Sequence, residues 1–213
     1  LVVYTPAISE DDLIFKFFKN SNFVIIKRSD LLASIVNDNF SIAIAGTHGK
    51  TTITAILSHI MSYSKLNYTA FIGGVSNYNN SNLIYNGDEI FIVEADEFDK
   101  TFLKLEPNII CINNIDGDHY DIYKDYDDLK NSFEQFSKKL KNQGILISSD
   151  QLDFESINYG FKPKSNFIIK NLRFEFGYSI FDIYSENLKY NEIYFNMIGK
   201  YNCCLLYTSP SPR

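Results

Sequence analysis

Tryptophan is absent from the 213 residues, cysteine occurs only three times, and no apolar run approaches the ~20 residues that span a bilayer. The three cysteines exclude a disulfide framework. Cys111 sits inside an apolar run and Cys203-Cys204 are vicinal, which is not a metal-ligand spacing either, so a reduced, cytoplasmic setting is expected. The N-terminus lacks the basic start and small-residue cleavage site of a signal peptide, and no membrane insertion is expected. Positive charge is also scarce: 20 Lys and Arg face 26 Asp and Glu, for a net charge of -6. A broad basic face for nucleic acid or anionic lipid is therefore excluded, and any bound phosphate must be held by a specific loop. The missing tryptophan, beside abundant Asn, Ile, Lys, Tyr and Phe, reads as coding bias and carries no function.

What is present is a folding composition. Hydrophobic residues make up 45% and charged residues 22%, enough to bury a core, and the length suits one large domain or one domain plus part of another. Leu1 to Tyr4 reads as a strand closed by Thr5-Pro6, followed by a helix with apolar positions at Leu13, Phe17 and Phe18. Phe23 to Ile26 reads as a second strand, and Ser29-Asp30 as the cap of a short helix through Leu31, Leu32 and Ile35. The strand Ile42 to Ala45 runs into Gly46-Thr47-His48-Gly49-Lys50-Thr51-Thr52, and the following helix repeats Ile53, Ile56, Leu57, Ile60 and Met61 on one face. Further strands are expected at Thr69 to Ile72 ending in Gly73-Gly74, Ile90 to Val93 ending in Glu94, Ile109 to Ile112 ending in Asn113-Asn114, and Ile145 to Ile147. A helix starts at Asp125, with Lys138, Lys139 and Lys141 in its last turn. Beyond about residue 155, alternating stretches such as Arg173 to Phe176 and Ser179 to Tyr184 predict an antiparallel β appendage.

The fold class expected is α/β: a mostly parallel sheet of P-loop ATPase type with an antiparallel β appendage, preceded by αβ pieces. In such sheets ligands collect where the carboxyl ends of parallel strands meet polar loops. A strand entering a glycine loop that opens a helix on Lys-Thr is a recipe for holding phosphates. Main-chain N–H groups and the helix N-terminus supply positive potential, Lys50 neutralises terminal phosphate charge, and the Thr51 hydroxyl reaches magnesium. Gly46 lies only three positions before Gly49, which departs from the GxxxxGK spacing. Glu94, at a strand end, is a magnesium ligand in this reading, while Asp96, Glu97 and Asp99 read as solvated acids. His119, between Asp118 and Asp121, is a candidate for a second cation site; His59 and His48 receive no catalytic role. Asn113 to Asp116 is similar to the base-reading NKxD loop of GTPases, yet lacks its lysine, and no DxxG follows Glu94.

Taken together, Ala45 to Thr52, Glu94-Ala95-Asp96-Glu97-Phe98-Asp99 and Asn114 to Asp121 resemble the central ATPase domain of the Mur ligase family. Thr47-His48-Gly49 is similar to the branch that adds L-alanine to UDP-N-acetylmuramate and to the branch that recycles murein peptide. Val3 to Ile8 and Lys100 to Pro107 resemble the alanine-adding branch more. The resemblance implies that residues 1–40 are the C-terminal part of a UDP-substrate-binding domain, the tail of a Rossmann-like domain, and 41–203 the central ATP-binding domain. Residues 204–213, with their Ser-Pro-Ser-Pro-Arg ending, read as a non-native tail. It implies ATP and Mg2+ as cofactors, UDP-N-acetylmuramate and L-alanine as small-molecule partners, and amide-bond formation through an acyl phosphate. By that resemblance Gly46, Thr47, His48, Gly49, Lys50, Thr51, Thr52 and Asn202 hold the nucleotide. Thr51 and Glu94 hold one magnesium ion and His119 a second, and Lys50, Glu94 and His119 serve the chemistry. Gly73, Gly74 and Asn82 lie near the muramate, with Asn80-Ser81-Asn82 in place of the usual Gly-Thr-Asn, and Tyr201 stands where the family has His in Gly-x-His-Asn. Because other domains of the family are not in these 213 residues, they are expected to bind nucleotide without ligating. A non-catalytic nucleotide-binding module is the third reading.

Overall fold

The computed structural model describes residues 1–76, 81–117 and 122–207. The chain opens with β1 (Val2–Tyr4), α1 (Leu13–Lys19), β2 (Ile25–Lys27) and α2 (Arg28–Asn37), in which β1 and β2 pair in parallel. Asp12 caps α1, its side chain accepting from the N–H groups of Ile14 and Phe15. No side chain caps α2, which begins at Arg28, directly after β2; Ser29 and Asp30 lie inside its first turn, so the expected Ser-Asp cap does not form.

A ten-stranded sheet follows. Its strands are β3 (Phe40–Ala45), β4 (Tyr68–Ser76), β5 (Ser81–Asn86), β6 (Ile90–Glu94), β7 (Ile109–Ile112), β8 (Ile145–Ser149), β9 (Ile157–Gly160), β10 (Phe167–Glu175), β11 (Tyr178–Tyr184) and β12 (Lys189–Phe195). The spatial order is β12-β11-β10-β9-β8-β7-β3-β6-β4-β5. From β10 to β4 every neighbour is parallel, while β11, β12 and β5 add antiparallel at the two ends. The expected mostly parallel sheet with an antiparallel appendage is thus one continuous sheet, joined through β10. β4 runs on through Gly73-Gly74 to Ser76, and β5, which sequence reading missed, turns back along it.

The central strand shows why a buried parallel strand reads as unbroken apolar sequence. Ser41 to Ala45 of β3 are all buried, with alternate residues serving opposite faces. Ile42 and Ile44 pack with Ile53, Leu57 and Met61 of α3 (Lys50–Ser62). Ala43 and Ala45 belong to the core formed with Leu129, Phe133 and Phe136 of α4 (Tyr126–Ser137). Full burial of each such large aliphatic or aromatic side chain stabilises by roughly 1.5–3 kcal/mol. Ala33 and Val36 of α2 enter that second core, so the last helix of the upstream segment covers the central sheet. Asp125 caps α4 by accepting the Asp128 N–H at 2.8 Å, as its position before the periodic run predicts. The helix stops at Ser137, which leaves Lys138, Lys139 and Lys141 beyond it; Lys141 instead donates to the Asn39 carbonyl at 2.7 Å. A final helix, α5 (Lys200–Tyr207), runs across position 204, and its Cys203 and Cys204 pack with Ile169, Phe181 and Ile183. Residues 208–213 lie outside the described residues.

Candidate active site

The parallel order places the carboxyl ends of β3, β6 and β4 side by side, and the loop Gly46 to Gly49 leaves the first of them. Gly49, at φ 85° and ψ 0°, is the left-handed N-cap that swings the chain into α3, a conformation that disfavours any residue with a Cβ. The first-turn N–H groups of α3, from Lys50 to Thr52, have no helical acceptor upstream and carry the positive end of the helix dipole. An anion at this turn meets donors without any rearrangement of the backbone.

The loop is braced by the segment after β7. Asn114 accepts the His48 N–H on Oδ1 at 2.8 Å and donates Nδ2 to the His48 carbonyl at 3.0 Å, while its own carbonyl accepts the Thr47 N–H at 3.1 Å. Asn113 adds a donor to the same His48 carbonyl at 3.1 Å and is itself fixed by the buried Tyr159 hydroxyl at 2.8 Å. Thr47 Oγ1 accepts the Asp116 N–H at 2.9 Å and donates to the Asp116 carbonyl at 3.2 Å. The N–H groups of Thr47 and His48 are therefore engaged in this clasp, so the loop donors that could meet an anion are those from Gly49 to Thr52. The His48 ring is exposed, 3.8 Å from the Asp116 carboxylate. What resembled a base-reading loop works here as a brace, a role that sequence reading did not give to Asn113 or Asn114.

Lys50 folds back over the loop. Its ammonium lies 2.8 Å from the Gly46 carbonyl and 2.9 and 2.6 Å from the two carboxylate oxygens of Glu97. The Glu97 side chain is 0% exposed and that of Lys50 14%. This corrects the reading of Glu97 as a solvated acid. Asp96 is exposed, as expected, and the side chain of Asp99 lies outside the described residues.

Thr51 and Glu94 meet as the strand-end reading requires, with Thr51 Oγ1 donating to Glu94 Oε2 at 3.0 Å. The other oxygen of Glu94 accepts the Gly73 N–H. Burial pushes the Glu94 carboxyl above the usual range, against the hydrogen bonds from Gly73 and Thr51 and the nearby Lys50 charge, which pull it down. Gly73 owes its identity to this contact, because a Cβ there would sit 2.5 Å from Glu94 Oε2. One at Gly74 would meet the Thr51 methyl at 3.4 Å. A hydroxyl beside a carboxylate is a hard-oxygen pair that suits Mg2+, which ordinarily takes one or two carboxylates and completes its shell with water and phosphate. The donor set fits that ion.

These groups open on one cavity of about 610 Å³, whose walls include Arg28 and Leu32 of α2, Lys50, Thr51, Gly73, Glu94 and, from β5, Asn82. Of the expected site residues, the structure thus brings together Lys50, Thr51, Glu94, Gly73 and Asn82, with Gly74 bordering Thr51 and Thr52 in the first turn of α3. Asn202 is not among the walls of this cavity; it lies on α5, which packs against α3, and its side chain donates to the Ile198 carbonyl at 2.8 Å. His119, the expected second cation ligand, lies outside the described residues. Among the described residues no helix is long and apolar enough to cross a membrane.

Comparison with known proteins places this arrangement. The model of the Mur ligase middle domain matches residues 44–204. The UDP-N-acetylmuramate--L-alanine ligase of Christiangramia forsetii is 42% identical over 202 residues, covering 95% of this chain and 45% of that protein. Among solved structures, the UDP-N-acetylmuramate-alanine ligase of Thermotoga maritima superposes with a TM-score of 0.79 at 21% identity, covering 96% of this chain and 49% of the other. MurF ligase of the same organism, crystallised with ADP, gives 0.71 at 16% identity over 97% of this chain and 58% of its own. The chain spans less than half the length of the curated relative.

Proposed function

The chain belongs to the Mur ligase family, and from that premise we propose that it carries the ATP-binding centre of a ligase joining L-alanine to UDP-N-acetylmuramate. The supporting observation is the convergence of Lys50, Thr51 and Glu94 with Gly73 and Asn82 on one cavity at the strand ends. A carboxylate is a poor electrophile, and the lactyl carboxylate must approach a triphosphate that repels it. In the reading proposed, this carboxylate attacks the γ-phosphorus, the bond to the β,γ-bridging oxygen breaks, and ADP leaves an acyl phosphate. The amine of alanine then attacks the acyl carbon, expels inorganic phosphate and loses a proton to give the amide.

The residues contribute charge and placement. Lys50 brings a cation to oxygens whose negative charge shifts during phosphoryl transfer, and the α3 N-terminus orients the phosphates by main-chain donors. Thr51 and Glu94 would hold Mg2+, which, when bound, screens the triphosphate and polarises its terminal phosphoryl group. Glu94 is anchored for that task by the Gly73 N–H. His119 is carried as the ligand of a second ion by family resemblance alone, and the same holds for Asn202 at the nucleotide. The alanine assignment over the tripeptide-recycling one rests on the name and 42% identity of the curated relative.

The test has two parts. The 213-residue chain titrated with ADP and Mg2+ in a calorimeter should bind, and Lys50→Ala should abolish most of the heat. A longer protein bearing this segment should release phosphate from ATP and UDP-N-acetylmuramate when L-alanine is supplied. Release only with murein tripeptide would overturn the acceptor, and no nucleotide binding would overturn the whole reading.

A further inference from the structure

We infer that Glu97 is a positioning residue for the loop lysine, a built-in counter-anion that parks Lys50 against the loop until the terminal phosphates of a nucleotide displace it. The inference rests on the nucleotide reading above. An ammonium has three N–H donors. In Lys50 these are matched by the two Glu97 oxygens, at 2.9 and 2.6 Å, and the Gly46 carbonyl at 2.8 Å, with the Thr47 carbonyl farther off at 3.5 Å. No direction is left for a phosphate oxygen unless one of these partners gives way.

Glu97 cannot be the part that moves. Its carboxylate is fully buried, its carbonyl accepts the Tyr123 hydroxyl at 2.6 Å and the Lys100 N–H at 3.0 Å, and its backbone leads directly into the 3-10 helix Phe98–Lys104. Lys50 is different: it lines the open cavity on a flexible four-carbon stem. Its three donors are already taken, so a phosphate oxygen that reaches the ammonium takes the place of Glu97 or of the Gly46 carbonyl, and drawing the cation off a buried carboxylate is unfavourable. Nucleotide entry is therefore an exchange of anions on one ammonium, and the negative charge of Glu97 lowers affinity for any ligand that reaches Lys50. A loop lysine of this kind reaches the β- and γ-phosphates, so the effect is selective: ADP and ATP feel it and AMP does not.

The experiment is a competition titration of the 213-residue chain and its Glu97→Gln variant, with a fluorescent ADP analogue as the displaced probe. Glu97→Gln keeps an acceptor and removes the charge. ADP and ATP should tighten about ten-fold or more, the scale of one charge-assisted hydrogen bond, with AMP unchanged. Unchanged or weaker ADP binding, or equal tightening of all three nucleotides, overturns the inference while leaving the nucleotide reading intact. Failure of the unaltered chain to bind any of them removes both. Should Glu97→Gln not fold, Lys50→Arg serves instead. Its planar fork matches the carboxylate better, so ADP should weaken with AMP unchanged, and unaltered or tighter ADP binding is the contrary result.

Discussion

Replacing Lys50 by Met should destabilise the folded chain even without nucleotide, because the substitution keeps the stem and takes the ammonium away from the buried carboxylate of Glu97. Three contacts go: two to Glu97 and one to the Gly46 carbonyl. Removing one partner of a buried ion pair costs about 3–5 kcal/mol, a large share of the 5–15 kcal/mol that holds an ordinary domain together. For a chain of this size the shift in Tm is roughly 6–20 °C. Thermal melts by circular dichroism at pH 7, against the unaltered chain, supply the comparison. Lys50→Met/Glu97→Gln should regain most of the loss. An unaltered Tm in Lys50→Met, or no rescue by the double substitution, would refute the account of a buried carboxylate paired with this lysine.

Two further outcomes follow from the same neighbourhood. Asn114→Ala removes both side-chain hydrogen bonds that Asn114 makes to His48 and leaves only the Asn113 donor on its carbonyl, so the urea midpoint should fall by the equivalent of about 1–3 kcal/mol and ADP affinity should drop with it; a chain unaltered in both would show that the brace is incidental. Because the Glu94 carboxyl is held above the usual range and Mg2+ competes with its proton, affinity for Mg-ADP should decline on acidification sooner than an ordinary glutamate would dictate, and Glu94→Gln should flatten that pH profile in calorimetric titrations.

Which of these features could be read from the chain depends on how far apart in sequence the interacting groups lie. The strand, glycine loop and amphipathic helix from Phe40 to Ser62 are contiguous, so their order alone carried the phosphate-binding reading, and Glu94 was legible because four apolar residues place it at a strand end. Where local signals compete, neighbours in space decide. Gly73-Gly74 reads as a stop, yet β4 runs on past it with a break in register against β5, which pairs with it up to Phe71 and again at Ser76, while the Glu94 carboxylate occupies the space that a Cβ at Gly73 would need. Ser29-Asp30 looks like a cap, yet α2 starts at Arg28 without one and Lys104 pairs with Asp30 instead. The two largest omissions are contacts across the sheet. Lys50 and Glu97 are 47 positions apart, and Asn114 is 66 from His48; both pairs exist only because β6 and β7 flank β3 in parallel. An acid inside Glu94-Ala95-Asp96-Glu97-Phe98-Asp99 looks solvated because its sequence neighbours are acids, and sequence distance hides the Lys50 ammonium that pairs with it in the fold. The spacing of the loop holds a clue in retrospect. With only Thr47 and His48 between its glycines, and both their N–H groups tied to Asn114, the turn is too short to enclose phosphates by itself. Its rigidity has to come from β7 and its charge balance from the segment after β6, and those two strand ends are where the unread residues lie.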